Sequence, residues 1–318
     1  MDPFRPLPLL GNPHLQTLLA NGVSLAREPA STTRLVELPD GDRLAVEVST
    51  PVGWVDGPTV AMVHGLCGSH RSTYMVRMAA KLVAAGLRVA RINLRGKGSG
   101  QGLARRPYHA GCSEDLRAAL LALGGAPPWL IGFSLGGNVS LKLAGELGPS
   151  GPGLLAGVGA VCPPVDLFAS WRWLTRPEGR RWERMFVGWL LEEMRLRCAR
   201  WGDPLPALPR RPGVFDIDDR YIAPSAGFAG ALAYYAGASA LPLLQRIEVP
   251  CRLLIAEDDP IVEAAWLTQA TLPRDVQVVR TARGGHLGFL GSPGPRFMDE
   301  VVLGWVQCRA RDRRVTRA

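Results

Sequence analysis

The sequence predicts an α/β fold in which helices cover both faces of a mostly parallel β-sheet and a helical cap is inserted after one strand. Two observations support this prediction. Short apolar strands alternate with helices up to residue 164 and again after residue 245, which is typical of parallel sheets. Residues 165–245 carry only helix and loop patterns and are too long for a plain loop in a compact domain, so they are interpreted as the cap.

The elements before the cap begin with a β-hairpin over residues 32–50, where apolar and polar residues alternate around Pro39-Asp-Gly41. Apolar runs bounded by turn residues then predict strands, and apolar residues at helical spacing predict helices. The predicted strands are 59–64, 87–94, 128–133 and 155–162, and the predicted helices are 72–85, 113–123 and 135–147.

After the cap, the same patterns predict strands at 250–256 and 275–280 and helices at 261–270 and 295–310. These elements complete the α/β core. The predicted organisation is an N-terminal segment at 1–31, the α/β core at 32–164 and 246–310, the cap at 165–245 and a basic tail at 311–318.

The composition is that of a globular protein. Hydrophobic residues make up 47% of the 318 positions, which is enough for a sizeable core. No run of 18 apolar residues occurs, so no transmembrane segment is expected, and the first residues lack the apolar stretch of a signal peptide. The six cysteines show no pairing pattern, which favours a reducing compartment. A cytoplasmic location is therefore expected.

The formal net charge is +9, carried mainly by arginines between residues 171 and 200 and in the last residues of the chain. No groove-reading or base-stacking module is recognisable, so a nucleic-acid partner is not expected. The arginines favour a solvated surface and leave open a weak contact with a membrane surface or an anionic substrate. The sequence leaves the oligomeric state open.

The strongest candidate for a catalytic residue is Ser134, in Gly132-Phe-Ser-Leu-Gly136 between a predicted strand and a predicted helix. A serine in such a G-x-S-x-G turn is pushed into the open, and the flanking glycines let neighbouring backbones approach closely. The helix that follows directs free N–H groups at developing negative charge. The pattern predicts a nucleophile; the alternative is an ordinary strand-to-helix turn.

A serine nucleophile needs a base, and His286 is the predicted one. It follows a predicted strand in Arg283-Gly-Gly-His286, and its position downstream of the serine matches the order serine, acid, histidine. His64 is the rival base. Acids at 257–259 follow an apolar strand and are candidates for the residue that orients the histidine, with Asp166 as the rival.

An oxyanion hole needs two backbone N–H donors near the reacting carbonyl oxygen. One is predicted to be that of Leu135, directly after the serine. The other is predicted to be that of Leu66, in the loop after strand 59–64, where His64-Gly65 supplies a tight turn.

Two other patterns resemble cofactor or metal sites only in part. The loop Arg95–Gly102 is rich in glycine but lacks the order and spacing of a phosphate-binding loop. His64, Cys67 and His70 have metal-like spacing, but no fourth ligand stands nearby. No cofactor and no metal are therefore expected.

Several motifs resemble the α/β-hydrolase superfamily: His64-Gly65, Asn93-Leu-Arg-Gly-Lys-Gly-Ser99, Gly132-Phe-Ser-Leu-Gly136, Asp258-Asp-Pro260 and Gly284-Gly-His286. Further stretches are similar to the AB hydrolase 4 family, the YheT-type esterases: Asn12-Pro-His-Leu-Gln-Thr17, Tyr108-His-Ala-Gly111 with Glu114-Asp-Leu116, Phe215-Asp216 with Asp219-Arg-Tyr221, and Tyr234-Tyr235. The resemblance runs from about residue 10 to about residue 305.

The resemblance implies a serine esterase or lipase that cleaves small-molecule acyl esters through an acyl-enzyme, with Ser134, Asp259 and His286 as the triad. In family turns of this type the acid stands just before the proline, which selects Asp259 over Asp258. An acyltransferase on the same triad and a non-catalytic ligand-binding protein are the alternatives. Eukaryotic members carry an N-terminal membrane anchor; this sequence begins almost at the Asn12 motif and is not expected to have one.

The predicted cap is rich in aromatic residues. Trp182, Met185, Phe186, Trp189 and Leu190 recur at helical spacing. Two compatible interpretations stay open: this face packs on the core, or part of it lines an acyl pocket. The second interpretation predicts a preference for medium or long acyl chains.

Overall fold

The computed structural model describes residues 4–22, 24–268, 270–292 and 296–315 of the chain. Its described strands are β1 (Arg5–Pro6), β2 (Thr32–Glu37), β3 (Arg43–Ser49), β4 (Thr59–Val63), β5 (Arg88–Ile92), β6 (Trp129–Phe133), β7 (Gly157–Val161), β8 (Cys251–Ala256), β9 (Val276–Thr281) and β10 (Gly291–Ser292). The described α-helices are α1 (Pro13–Gly22), α2 (Thr73–Ala84), α3 (Ser113–Leu123), α4 (Leu135–Leu147), α5 (Gly151–Leu154), α6 (Leu167–Leu174), α7 (Arg180–Trp201), α8 (Val214–Ile217), α9 (Ala223–Ser225), α10 (Ala231–Ala238) and α11 (Phe297–Val315).

Eight strands form one sheet in the order β2-β3-β5-β4-β6-β7-β8-β9, while β1 pairs separately with β10. The hairpin β2–β3 and the pair β3–β5 are antiparallel, and the other neighbours in the large sheet are parallel. The central strands β4 and β6 are buried at every position, as expected for strands covered on both faces. The predicted mostly parallel sheet is confirmed.

Two apolar clusters cover the two faces of this sheet. One includes Leu116 and Leu120 of α3 and Leu143 of α4. The other includes Met78 of α2 and Trp305 of α11. The apolar face of each helix is thus removed from water against the strands, which is the main favourable contribution to folding.

The stretch between β7 and β8 contains α6 to α10, and the structure describes no strand in it. Part of it forms its own apolar cluster, with Leu190, Ile217 and Tyr235. A smaller cluster joins Trp182 and Phe186 of α7 to Ile261, which follows β8. The aromatic face of α7 therefore contacts the core side of the molecule. The division into an independent core and cap stays a prediction.

The elements predicted before the cap are confirmed, with bounds that differ by at most two residues. The helix predicted at 261–270 is wrong: in the described residues this stretch holds only a short 3-10 turn, Ala265–Thr268. The apolar residues that suggested a helix, Ile261 and Val262, instead pack against α7. Tertiary packing overrides local propensity here. The last helix runs to Val315, so it extends into the predicted tail, of which residues 316–318 lie outside the described part.

Helix α1 lies in the N-terminal segment, for which no secondary structure was predicted. Asn12 caps it, since its Oδ1 accepts the N–H groups of His14 and Leu15 at 2.9 and 3.2 Å. Pro13 occupies the first helical position, where its missing N–H costs nothing. Within the described ranges, no helix combines the length and the apolar character needed to cross a bilayer.

Candidate active site

Ser134 sits in the turn between β6 and α4 in a conformation that is uncommon outside glycine, with φ 51° and ψ −122°. Its N–H donates to Val161 O at 2.8 Å, which ties the turn to β7. A Cβ on Gly132 would lie 2.3 Å from Gly136 O, and one on Gly136 would lie 2.4 Å from His64 O. Both flanking glycines are required by backbone that passes too close for a side chain.

Ser134, His286 and Asp259 lie in one line of hydrogen bonds. His286 Nε2 is 2.8 Å from Ser134 Oγ, and His286 Nδ1 is 2.7 Å from Asp259 Oδ2. Both His286 and Asp259 are buried. The other carboxylate oxygen of Asp259 accepts the N–H groups of Ile261 and Val262 at 2.8 and 2.9 Å. The structure thus brings the three residues together and fixes the carboxylate from its far side.

The rival acids have other partners. Asp258 Oδ1 accepts the Gly285 N–H at 2.9 Å, so this carboxyl braces the loop of His286. Asp258 is half-buried, and burial raises the pKa of its carboxyl. Asp166 is the N-cap of α6, where it accepts the Ala169 N–H at 3.0 Å.

The rival base, His64, is fully buried at the end of β4. Its Nδ1 pairs with Gly65 O at 2.8 Å, and its Nε2 accepts the Leu94 N–H at 3.1 Å. Desolvation lowers the pKa of His64 to about 3, so the ring is neutral. Because both ring nitrogens form hydrogen bonds with backbone groups, His64 stabilises the turn beside Ser134.

The predicted oxyanion donors lie on the two sides of Ser134. Leu135 is the first residue of α4. A Cβ on Gly65 would be 3.1 Å from the Cβ of Ser134, which places the loop after β4 against the serine. In this loop the Gly65 and Cys67 N–H groups donate to tyrosine hydroxyls, at 2.9 and 2.8 Å. Within the described residues the N–H groups of Leu66 and Leu135 have no acceptor. Their role as oxyanion donors stays a prediction.

Helix α1 holds the loop that carries His286, and sequence reasoning missed this. The His286 N–H donates to Thr17 Oγ1 at 2.9 Å. The side chain of Gln16 pairs with both backbone groups of Leu290, at 2.7 and 3.0 Å. A Cβ on Gly285 would lie 2.5 Å from Pro13 O, so the helix packs directly on this loop. The polar pair Gln16-Thr17 was the available signal, but its partner is far away in sequence.

Two clefts meet at Ser134. The inner cleft runs between the core and the predicted cap and is lined mainly by apolar side chains, among them Leu135, Leu167, Leu190 and Ile222, with Asp218 in its wall. The outer cleft is lined by Leu18, Arg71, Trp182, Trp189 and His286, among others. An ester substrate whose carbonyl carbon lies at Ser134 can therefore place its acyl group in one cleft and its alcohol group in the other.

One group of metal-binding residue types overlaps the site. The side-chain donor atoms of Cys162, Asp259 and His286 lie within 4.8 Å of one another. Both ring nitrogens of His286 are already hydrogen-bonded, and burial raises the pKa of the Cys162 thiol, which keeps it protonated. These donors do not fit a metal, because a thiol binds metal as its thiolate. We assign no metal to them.

Comparisons with known proteins place this geometry in context. A family model described as alpha/beta hydrolase fold matches residues 58–293. A protein of Escherichia coli (strain K12) named "Putative esterase YheT" is 30% identical over 301 residues, which cover 91% of this chain and 87% of that protein. A Saccharomyces cerevisiae protein named "Medium-chain fatty acid ethyl ester synthase/esterase 2" is 25% identical, over 78% of this chain and 61% of that protein.

The solved structure of the Pyrococcus furiosus esterase Pf2001 is similar across 95% of this chain and 98% of its own, with a TM-score of 0.57 and 16% sequence identity. At that identity the likeness shows the fold alone.

Proposed function

The chain belongs to the α/β-hydrolase fold family, in the group of YheT, and we propose that it cleaves carboxylic esters through an acyl-enzyme formed on Ser134. That it is a carboxylic ester hydrolase follows from its relatives. The assignment of the reaction to Ser134 rests on one observation. The hydroxyl of this strained serine lies 2.8 Å from a histidine that is itself 2.7 Å from a buried aspartate.

In the first half of the reaction Ser134 Oγ attacks the ester carbonyl carbon. Because Nδ1–H of His286 donates to Asp259, Nε2 is free to accept the serine proton. The negative charge of Asp259 stabilises the imidazolium that forms. His286 then gives the proton to the leaving alcohol, and the acyl group stays on Ser134.

The negative oxygen of the tetrahedral intermediate requires preorganised donors. The N–H groups of Leu66 and Leu135 are suited to this, because they flank Ser134 and are not committed elsewhere in the described structure. The N-terminus of α4 adds its positive dipole end. In the second half, water activated by His286 attacks the acyl-enzyme and releases the acid.

The inner cleft suits the acyl chain of the substrate. Its wall is mostly aliphatic and aromatic, and each buried methylene contributes roughly 0.8 kcal/mol to binding. The name of the yeast relative includes medium-chain fatty acid ethyl esters. We infer that medium or long acyl esters are the substrates.

A fluorophosphonate probe tests this proposal, because it labels only an activated serine. The native protein should be labelled at Ser134 and should hydrolyse a 4-nitrophenyl ester. Ser134→Ala should lose labelling and about four to six orders of magnitude of turnover while keeping its melting temperature. A folded Ser134→Ala variant that keeps a tenth of native turnover would require another nucleophile.

Acyl transfer to an alcohol is the second candidate, since the yeast relative is named a synthase as well as an esterase. The two reactions share the acyl-enzyme and differ in the acceptor. Adding ethanol to the ester assay and measuring the ratio of ethyl ester to free acid distinguishes them. Free acid as the dominant product identifies hydrolysis.

A further inference from the structure

The exposed face of α1 is apolar, whereas two of its three buried residues are polar. Leu15, Leu18 and Leu19, spaced i, i+3 and i+4, are each 42–43% exposed. Gln16 and Thr17 are buried instead, where they hold the His286 loop. A surface helix normally shows the opposite arrangement.

This leucine face lies at the mouth of the outer cleft. Leu18 and Trp189 both line that cleft, and Trp189 is itself 45% exposed. The cleft leads to Ser134 and His286. The apolar surface thus borders the path to the proposed nucleophile.

Positive charge surrounds α1, which has no charged residue of its own. Arg181 lies over the Trp182 ring, 5.6 Å from its centroid, and Trp182 Nε1 donates to His14 Nδ1 at 3.0 Å, so this arginine lies close to the helix. Arg283 donates to the backbone just before α1 at 3.3 Å. Arg71 is exposed at the outer cleft and pairs with Glu28 at 3.4 Å. Exposed apolar side chains rimmed by arginines suit a surface that offers both hydrocarbon and negative charge.

We propose that a docking face, formed by Leu15, Leu18, Leu19 and Trp189 with Arg181 and Arg283 at its rim, binds the surface of an anionic lipid bilayer. The ester then enters the outer cleft directly from the lipid. This second step rests on the proposed function, but the binding does not. A second copy of the chain carries the same positive charges and complements this face less well than an anionic bilayer.

Sedimentation with lipid vesicles tests the docking face on the full chain. Vesicles of phosphatidylcholine with phosphatidylglycerol should bind the native protein, and vesicles of phosphatidylcholine alone should bind it at least tenfold more weakly. Leu15→Ser/Leu19→Ser should weaken binding to the anionic vesicles at least tenfold, because it removes apolar surface that enters the bilayer. Neither leucine lines the inner or the outer cleft, so hydrolysis of a short soluble ester should be unchanged.

The matched control is Leu121→Ser/Leu232→Ser, which removes two leucines that are 60% and 58% exposed on α3 and α10. This control should bind like the native protein. Equal binding by both double variants, or binding independent of phosphatidylglycerol, would overturn the inference. So would a native dimer that dissociates in Leu15→Ser/Leu19→Ser. If Leu15→Ser/Leu19→Ser loses vesicle binding but still hydrolyses the soluble ester, the proposed function is unaffected. If Ser134→Ala keeps its activity, the proposed function fails but the vesicle-binding result is unaffected.

Discussion

At the scale of single residues, the two adjacent aspartates after β8 differ in their contacts. Asp259 contacts His286, whereas Asp258 contacts only the backbone of the same loop. Asp259→Asn should lower kcat by about three to four orders of magnitude with little change in melting temperature, because the amide cannot stabilise the imidazolium. Asp258→Asn keeps an acceptor for Gly285 N–H and should cost much less. Rates of the two variants on one ester decide; an inactive Asp258→Asn beside an active Asp259→Asn would reverse the assignment.

Asp218, in the wall of the inner cleft, should make stability depend on pH. Burial raises its pKa to about 7, and the Tyr235 hydroxyl donates to it at 2.7 Å. The folded state therefore keeps a proton that the unfolded chain loses near pH 4. As a result, the contribution of this group to the free energy of unfolding decreases as pH rises from about 4 to 7. The melting temperature of the native protein relative to Asp218→Asn should fall by several degrees between pH 4.5 and 7.5. A constant difference would show that Asp218 is ionised in the folded protein throughout.

At the scale of elements, α1 positions the proposed base. Thr17→Val keeps the shape of the side chain but removes the acceptor of the His286 N–H, and kcat should fall roughly tenfold with KM little changed. Thr17→Ser should restore kcat, since it retains the hydroxyl. Equal losses of kcat in both variants would mean that Thr17 acts only through packing.

Elements with strong local patterns could be predicted from the sequence. The contact between Ser134 and His286 could be predicted, because the G-x-S-x-G motif marks the serine and the chain order of serine, acid and histidine points to His286. The role of Gln16 was not, since its partner Leu290 is 274 residues away. The helix predicted at 261–270 is wrong, since Ile261 and Val262 pack together against α7, a distant contact that the local pattern does not reveal.

In the molecule as a whole, charged side chains connect the stretch 165–245 to the segment that follows β5. Lys97 pairs with Glu193 of α7, and Arg197 of α7 donates to Ala104 O at 2.6 Å. The inner cleft is thereby held between two connected parts of the chain. The depth of the inner cleft therefore depends on how these two parts of the chain pack together, and we expect the acyl preference to depend on the same packing.

We expect kcat/KM to be higher for an octanoyl than for an acetyl ester, because the inner cleft buries the additional methylenes. Leu190→Phe adds volume inside this cleft and should lower the octanoyl-to-acetyl ratio about tenfold. Leu196→Phe, on an exposed part of the same helix, is the control and should leave the ratio unchanged. If the native enzyme prefers acetyl esters, the aromatic residues of the predicted cap contribute only to packing and do not bind the acyl chain.

The pairing of α1 with the His286 loop also has a consequence for biosynthesis. The ribosome synthesises α1 well before the segment around Leu290, and a contact across 274 residues forms late because closing so long a loop costs entropy. The nascent chain can therefore complete its sheet through β7 while its serine still lacks a base. We expect such a partial chain to be inactive on esters until His286 has been synthesised and its loop has packed on α1.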